Sequence, residues 1–410
     1  MSRKEEIEEL LEIHYHRLHE LRKRQAVEGL TKVDPSISIE IKSIEAEIEK
    51  LAEALAQFQK PSPGMDQLPD PLPDPEPPFG TVPLTSKFYI EREADNICWR
   101  YIANPYGATV FIQASRQVGK SSLMLRMLDR AKTECHEQYV HVDFQEFPKE
   151  LFTDDEKNFL IELCAMISHE LGIDEAIDHY WRRRGSNIVK CGRYLSEHIL
   201  PKIETSLILA MDEVDRLAPS PFRNNFFGML RVWHNKRAYD EQLGKLSLFL
   251  SSSTEAAHLV KNEHQSPFNV AHYVSLYDFS KEEVGELNRR YDMPLTPQQV
   301  KKLVGWVDGH PFLTRLALYQ LAIGKINTQT LFSETIVDEE HFEKHLRRYM
   351  DEVFDGSEIR QMMLDICRKH TCQENHHFHR LKGAGLIKRV GEKIVPRNSL
   401  YATYFEKRLK

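Results

Sequence analysis

The 410-residue sequence predicts an α/β fold: a parallel sheet with a helical lid and a C-terminal winged helix, preceded by an α-helical hairpin and a proline-rich linker. Three observations carry that expectation. Beyond about residue 85, apolar strand-like runs alternate with longer helical stretches, the pattern of parallel βαβ units. Ahead of it, isoleucine and leucine recur at helical spacing. Between the two, nine of the 20 prolines fall from Pro61 to Pro83.

At roughly 150 residues per domain the length allows two to three domains. The segments expected are a hairpin over 1–59, a linker over 60–84, a core over 85–279, a lid over 280–335 and a winged helix over 336–410. A hydrophobic content of 41%, 29% charged residues and a net charge of -7 exclude a disordered tail and a globally basic nucleic-acid coat. The longest apolar runs, such as Leu207 to Met211, fall far short of the ~20 residues a membrane span needs, and the chain opens on charged residues. The expectation is a cytoplasmic chain with no membrane partner. Cysteines 98, 135, 164, 191, 367 and 372 are too sparse for a secreted disulfide framework, so reduced thiols are expected.

The first helix, from about Ser2 to Ala26, carries Ile7, Leu10, Leu11, His14, Leu18 and Leu21 on one stripe. A break over Gly29 to Pro35 follows. Ile37, Ile41, Ile44, Ile48, Leu51 and Leu55 then recur at spacings of 4, 3, 4, 3 and 4, a heptad seam. An antiparallel hairpin results. Two helices bury little, so the hairpin packs weakly on itself, pairs with another copy or a helical partner, or docks on the body. The prolines that follow lack N–H donors and push each preceding residue out of the helical region, which makes a semi-rigid, extended boundary.

Thr109 to Gln113 reads as a buried strand, 114–121 as a turn and Ser122 to Leu128 as a helix. Strand, loop and helix in that order are the context of a phosphate-binding P-loop. Arg116, Gln117, Val118, Gly119, Lys120, Ser121 and Ser122 would form the cradle: Gly119 lets backbone N–H groups close around an oxyanion, and Lys120 neutralises the β and γ phosphates. The Ser121 hydroxyl completes a Mg²⁺ shell. Ala114 stands where the motif has its first glycine. Roughly 90 residues on, Ser206 to Met211 is a second buried strand that ends in Asp212-Glu213-Val-Asp215, the build of a Walker B site. Asp212 would hold the Mg²⁺ shell and Glu213 would orient or deprotonate an attacking water. Leu246 to Leu250 runs into Ser251, Ser252, Ser253 and Thr254, where Ser252 is the candidate sensor of the γ phosphate. The catalytic candidates are therefore Glu213, Lys120 and Ser252. Arg116, Arg223, Arg231 and Arg237 are four candidates for a cation aimed at transition-state charge, and the sequence does not choose among them.

These residues resemble the AAA-like (STAND-type) P-loop ATPase domains of bacterial signalling and defence proteins. The matching stretches are Phe88 to Arg92, Arg116 to Ser121, Asp143 to Phe147, Leu209 to Arg216, Phe226 to Arg231 with Trp233 to Asn235, Ser266 to Val270, Gly309 to Phe312, and Pro396 to Asn398 with Leu400 and Tyr401. The likeness covers roughly Lys87 to the C-terminus, and the N-terminal hairpin resembles the helical segment that joins effector modules in such proteins. It implies an ATP/ADP-dependent conformational switch with slow hydrolysis, often coupled to oligomerisation. Carried over by position, the Gly309-His310-Pro311 turn would place Pro311 against the adenine and open the lid. Relatives with WD or tetratricopeptide repeats differ from this chain, in which no self-similar period of roughly 30 to 50 residues is present.

From about Asp338 the pattern is helix, helix, then a short β-hairpin over 383–396, the wing of a winged helix. Between Arg380 and Lys410 nine Lys or Arg stand against Glu392 and Glu406, which leaves a DNA footprint arguable. In STAND-type switches the winged helix more often closes over the nucleotide, which makes Arg397 a candidate phosphate contact. Cys367, His370, Cys372, His376, His377 and His379 lack the spacing of a structural zinc site. Three readings follow: a Mg-ATP switch, a DNA-binding ATPase regulator, and a scaffold with a degenerate pocket.

Overall fold

The computed structural model describes residues 35–58, 75–104, 106–253, 256–260 and 266–409, with eight positions of a helix between 7 and 21. The expected break after Gly29, the linker up to residue 74, the side chain of Leu55 and Thr254 lie outside the described residues. The chain divides into two compact units: one holds residues 79–277 and 353–396, the other residues 1–78, 278–352 and 397–410. That division separates 353–396 from the rest of the 336–410 segment.

The first unit is built on five parallel strands: β1 (Thr109–Gln113), β2 (Gln138–Asp143), β3 (Leu207–Asp212), β4 (Leu246–Ser252) and β5 (His272–Ser275), in the order β2-β3-β4-β1-β5. Every residue of β3 and β4 is buried. The reason is that both faces are covered, which is why these strands read as unbroken apolar runs and not as alternation. On one face Val110, Ile112, Ile208, Ala210 and Phe249 pack with Leu123, Met124, Met127 and Leu128 of the helix Lys120–Glu134. On the other, Phe111, Leu207, Leu209 and Met211 join a larger core. That core contains an aromatic cluster, in which Phe144 lies 5.7 Å from Phe159 and 6.0 Å from Phe226, ring centre to ring centre. It fixes the turn that follows β2. In the same unit, β6 (Ile387–Val390) and β7 (Lys393–Pro396) form an antiparallel hairpin. Gly391 turns it with a φ of 61°.

The second unit is helical. Ile7, Leu11, Leu18 and Leu21 pack against Ile41, Ile44 and Ile48 of the helix Pro35–Phe58. Arg17 meets Glu40 at 2.5 Å and His14 faces Glu47 at 3.5 Å, so one helix rises in number as the other falls. The pair is antiparallel, and of its heptad positions Ile41, Ile44 and Ile48 are buried while Ile37 and Leu51 are half-buried. Ser280 with Glu283 and Thr296 with Gln299 form capping boxes that start the helices Lys281–Arg290 and Pro297–Val307. The helix Pro311–Ala322 is buried on nearly every side, in keeping with its apolar sequence. Gly309, just before it, has a φ of 67°, and a Cβ there would lie 2.0 Å from the Phe279 carbonyl oxygen. Only glycine fits. Among the described residues all six cysteines are free, and no helix is long and apolar enough to cross a membrane.

Candidate functional site

The carboxyl ends of four strands come out together. Gln113 of β1 lies opposite Ser252 of β4, Met211 of β3 opposite Leu250, and Asp143 of β2 opposite Asp212. Open α/β sheets take their ligands outside these strand ends, so the loops that leave β1 and β3 serve one crevice.

After β1 the backbone enters the left-handed region at Gln117 (φ 61°) and again at Gly119 (φ 103°). Such turns aim successive N–H groups into a concavity that suits an anion. The helix Lys120–Glu134 starts on Gly119, which adds its unpaired N–H groups and the positive end of its dipole. A Cβ at Gly119 would lie 3.1 Å from the Arg92 guanidinium. Ala114 is not among the residues with positive φ, so this loop needs no glycine at its first position. Lys120 Nζ donates to the Ala114 carbonyl at 3.0 Å and to the Ser115 carbonyl at 3.3 Å. Burial pushes its pKa down, against the opposing pull of Asp215, Asp212 and Glu213. The loop thus holds a desolvated cation satisfied only by carbonyls, an arrangement that phosphate oxygens would improve.

Asp212 at the tip of β3 accepts the Glu213 N–H at 2.9 Å and the Ser251 hydroxyl. Glu213 sits at φ 53° and ψ 43°, a left-handed conformation that costs a non-glycine residue about 1 kcal/mol or more and that clusters at functional sites. Burial, then Asp215, raise the Glu213 carboxyl above its ordinary range. Asp143 is raised too, chiefly by burial. Asp215 accepts the Ser253 hydroxyl at 2.5 Å and the Ser253 N–H at 3.2 Å. A desolvated carboxylate of this kind suits a base that orients water. Among the described residues no three metal-ligating side chains converge. Magnesium would need no such cluster, since it keeps several waters and takes only one or two protein ligands besides phosphate.

The expected cradle residues are contiguous in space, with individual differences. Arg116 is near enough to Lys120 to oppose its charge. The Val118 carbonyl accepts Arg92 Nη1 at 2.9 Å. The Ser122 hydroxyl already accepts the Val82 N–H at 3.0 Å, so it anchors the incoming chain. Ser252 is wholly buried, and its carbonyl accepts the Ala114 N–H at 3.3 Å. The hydroxyl that reaches Asp212 is that of Ser251, because neighbouring residues of a strand face opposite ways. Pro311 and Arg397 belong to the other unit. There Pro311 is the first residue of its helix, and Arg397 is buried, paired with Asp278 and close to His310.

Sequence reasoning missed Arg92 and Arg126. Arg126 donates to the Val82 carbonyl at 2.9 Å and to the Pro83 carbonyl at 2.6 Å, and it lies 3.7 Å from the Tyr89 ring centre. Together they strap the segment ahead of the helix Glu93–Ile102 onto the phosphate loop and its helix. The aromatic and basic run from Phe88 to Arg92 was the signal, but nothing in it names partners some 30 to 40 residues away. Of the four arginines considered for transition-state charge, Arg223 bonds the Ala218 carbonyl. Arg237 bonds Thr109, the first residue of β1, a strand length of about 13 Å from the phosphate loop.

Residues 77–407 match the family model described as an AAA-like domain. A WD repeat-containing protein of Synechocystis is 24% identical over 359 residues, which is 80% of this chain and 29% of that protein. The chain therefore spans less than a third of that relative. A Walker-type ATPase of Pyrococcus abyssi is similar in structure, with a TM-score of 0.49 and 17% identity over 76% of this chain and 94% of that one. The ORC2 protein of Aeropyrum pernix gives a TM-score of 0.48 and 13% identity, over 80% of this chain and 96% of that one.

Proposed function

The chain belongs to the AAA-like domain family of P-loop ATPases, and we propose that it is a Mg-ATP-binding, STAND-type switch that hydrolyses its nucleotide slowly and assembles in the ATP state. The observation that supports this reading best is the meeting of Lys120, folded across its own loop after β1, with Asp212 and the strained Glu213 at the end of β3, β1 and β3 being the two strands that flank β4. Gly119, Lys120 and the N–H groups of 116–122 bind the phosphates. Asp212 and Ser121 would hold Mg²⁺, which would neutralise phosphate charge when bound. Glu213 orients the attacking water and takes its proton, and Ser252, at the end of the strand between β3 and β1, senses the γ phosphate. The N-terminal helices recruit a second copy or a helical partner.

A two-state element biased by the γ phosphate is the physical content of the switch. In the DNA-regulator reading the basic hairpin would hold duplex, yet Arg389 pairs with Glu374 and Arg380 with Asp355, which leaves less free charge for phosphates. Glu213→Gln tests the assignment of the base. It should retain ATP binding and lose turnover, and hydrolysis at the wild-type rate would refute the assignment.

A further inference from the structure

Arg237 stands a strand length from the phosphate crevice, and the surroundings of Arg237 and of Arg231, on the helix before it, are unusual. Arg237 follows the last residue of the helix Arg223–Lys236 and is half-buried at the amino ends of β1 and β5. Its Nη2 donates to the Thr109 hydroxyl and to His234 Nδ1, both neutral acceptors. Because a guanidinium only donates, His234 Nδ1 must accept, which leaves its Nε2–H as a further donor. Arg231 Nη1 is buried without any hydrogen-bond partner. His272, the first residue of β5, lies flat on Tyr101 with ring centres 3.9 Å apart.

Four nitrogen bases therefore gather, and none of the charges that act on Arg237, His234 and His272 is a carboxylate. Burial pushes Arg237 down to about 10. Burial, then Arg237, Arg231 and His272, push His234 down to about 4. His272 is lowered by burial and by Arg237. The carbonyl end of the helix offsets part of this cost, but a desolvated guanidinium normally demands an anion. Close backbone packing holds the group in place: a Cβ on Gly107 would lie 3.0 Å from the Leu246 carbonyl and 3.3 Å from Arg237 Cδ. Tyr106 and Tyr239, near it in sequence, are 84% and 76% exposed, a composition typical of recognition surfaces.

We propose that Arg231, Arg237, His234, His272 and the Thr109 hydroxyl form a second oxyanion site, at the amino edge of the sheet, that binds a phosphate group. The guanidinium forks and imidazole donors suit a multiply charged tetrahedral oxyanion better than a single carboxylate. The phosphate comes either from a free small molecule or from one carried by a second copy of the chain.

The test uses the full chain with Lys120→Ala, so that the phosphate loop does not compete, titrated with inorganic pyrophosphate in a calorimeter. Saturable binding is expected, weakened at least tenfold by Arg237→Gln. Arg231→Gln, which removes a side chain with no hydrogen bond to lose, should weaken it too and covers the case in which Arg237→Gln misfolds. Sedimentation distinguishes the sources. An unchanged mass on pyrophosphate addition indicates a free ligand, while self-association of the nucleotide-loaded Lys120 chain that Arg237→Gln abolishes and pyrophosphate competes away indicates a second copy. No pyrophosphate heat and no such self-association, or equal behaviour of both arginine variants and their parent, overturns the proposal.

Discussion

The two compact units treat buried charge in opposite ways. In the sheet unit the charged groups of the crevice are desolvated without full compensation: Lys120 rests on carbonyls, and Glu213 and Asp143 are pushed toward their neutral forms. In the helical unit the charged groups are closed on one another, Arg397 with Asp278 and Arg315 with Glu76. His345 likewise bonds the Tyr401 hydroxyl at 3.0 Å. The first arrangement sacrifices stability in a way that a ligand can restore, and the second pairs its charges within the unit, although both ring nitrogens of the buried His310 lack a hydrogen-bond partner. Substitutions in the first should therefore change binding more than folding, and substitutions in the second the reverse.

The largest expected effect sharpens that contrast. Gly309→Ala places a methyl 2.0 Å from a carbonyl oxygen at a left-handed φ. It should destabilise the helical unit by more than about 3 kcal/mol, seen as a lowered first transition in calorimetric melting. Lys120→Ala should do the opposite: a roughly hundredfold loss of ATP affinity, about 2.7 kcal/mol, with a melting temperature near that of the wild type. A collapse of folding in Lys120→Ala would break the comparison.

Acidification charges buried histidines in both units, His234 of the sheet unit being held at about 4, but the helical unit carries the larger load. His345 is buried and held at about 3, against 6.5 in the unfolded chain, and His310 is pushed down as well, by burial and by Arg397. A folded pKa below the unfolded one means stability is complete above about pH 6.5 and is lost as pH falls toward 3. At pH 5 that loss is about 2 kcal/mol for His345 alone. Glu213 and Asp143 run the other way, since a raised carboxylate favours folding below its unfolded pKa and loses that contribution as pH rises. In the sheet unit they offset part of the loss at His234, whereas His310 and His345 add in the helical unit, so amide hydrogen exchange at pH 5 should find the helical unit opening before the sheet unit. The smallest effect expected is for Ser251→Ala, which frees one carboxylate oxygen of Asp212. It should cost about 1 kcal/mol in stability and leave ATP affinity within a few-fold.

Much of this organisation was legible in the sequence where the deciding interactions are local. The run from Thr109 to Leu128 combines strand, loop and helix signals, and β3 ends on its acidic pair because covered strands are continuously apolar. The hairpin of β6 and β7 followed from a glycine turn between short apolar runs. The heptad spacing marked Ile41, Ile44 and Ile48 as the buried seam. What could not be read depends on partners distant in sequence. Ser251 and Ser252 are equivalent as letters, and only the register of β4 against β3 decides which hydroxyl meets Asp212. Arg126 becomes a strap because Val82 and Pro83 return to it across some 40 residues. Ala114 looked like a defect in the motif until its backbone proved to need no glycine.

The most direct test of the central claim is calorimetric titration of the full chain with Mg-ATP, alongside Lys120→Ala. Saturable binding to the wild type that the variant loses is the result predicted. Equal heats in both proteins, or none in either, would contradict a nucleotide-operated switch at this crevice.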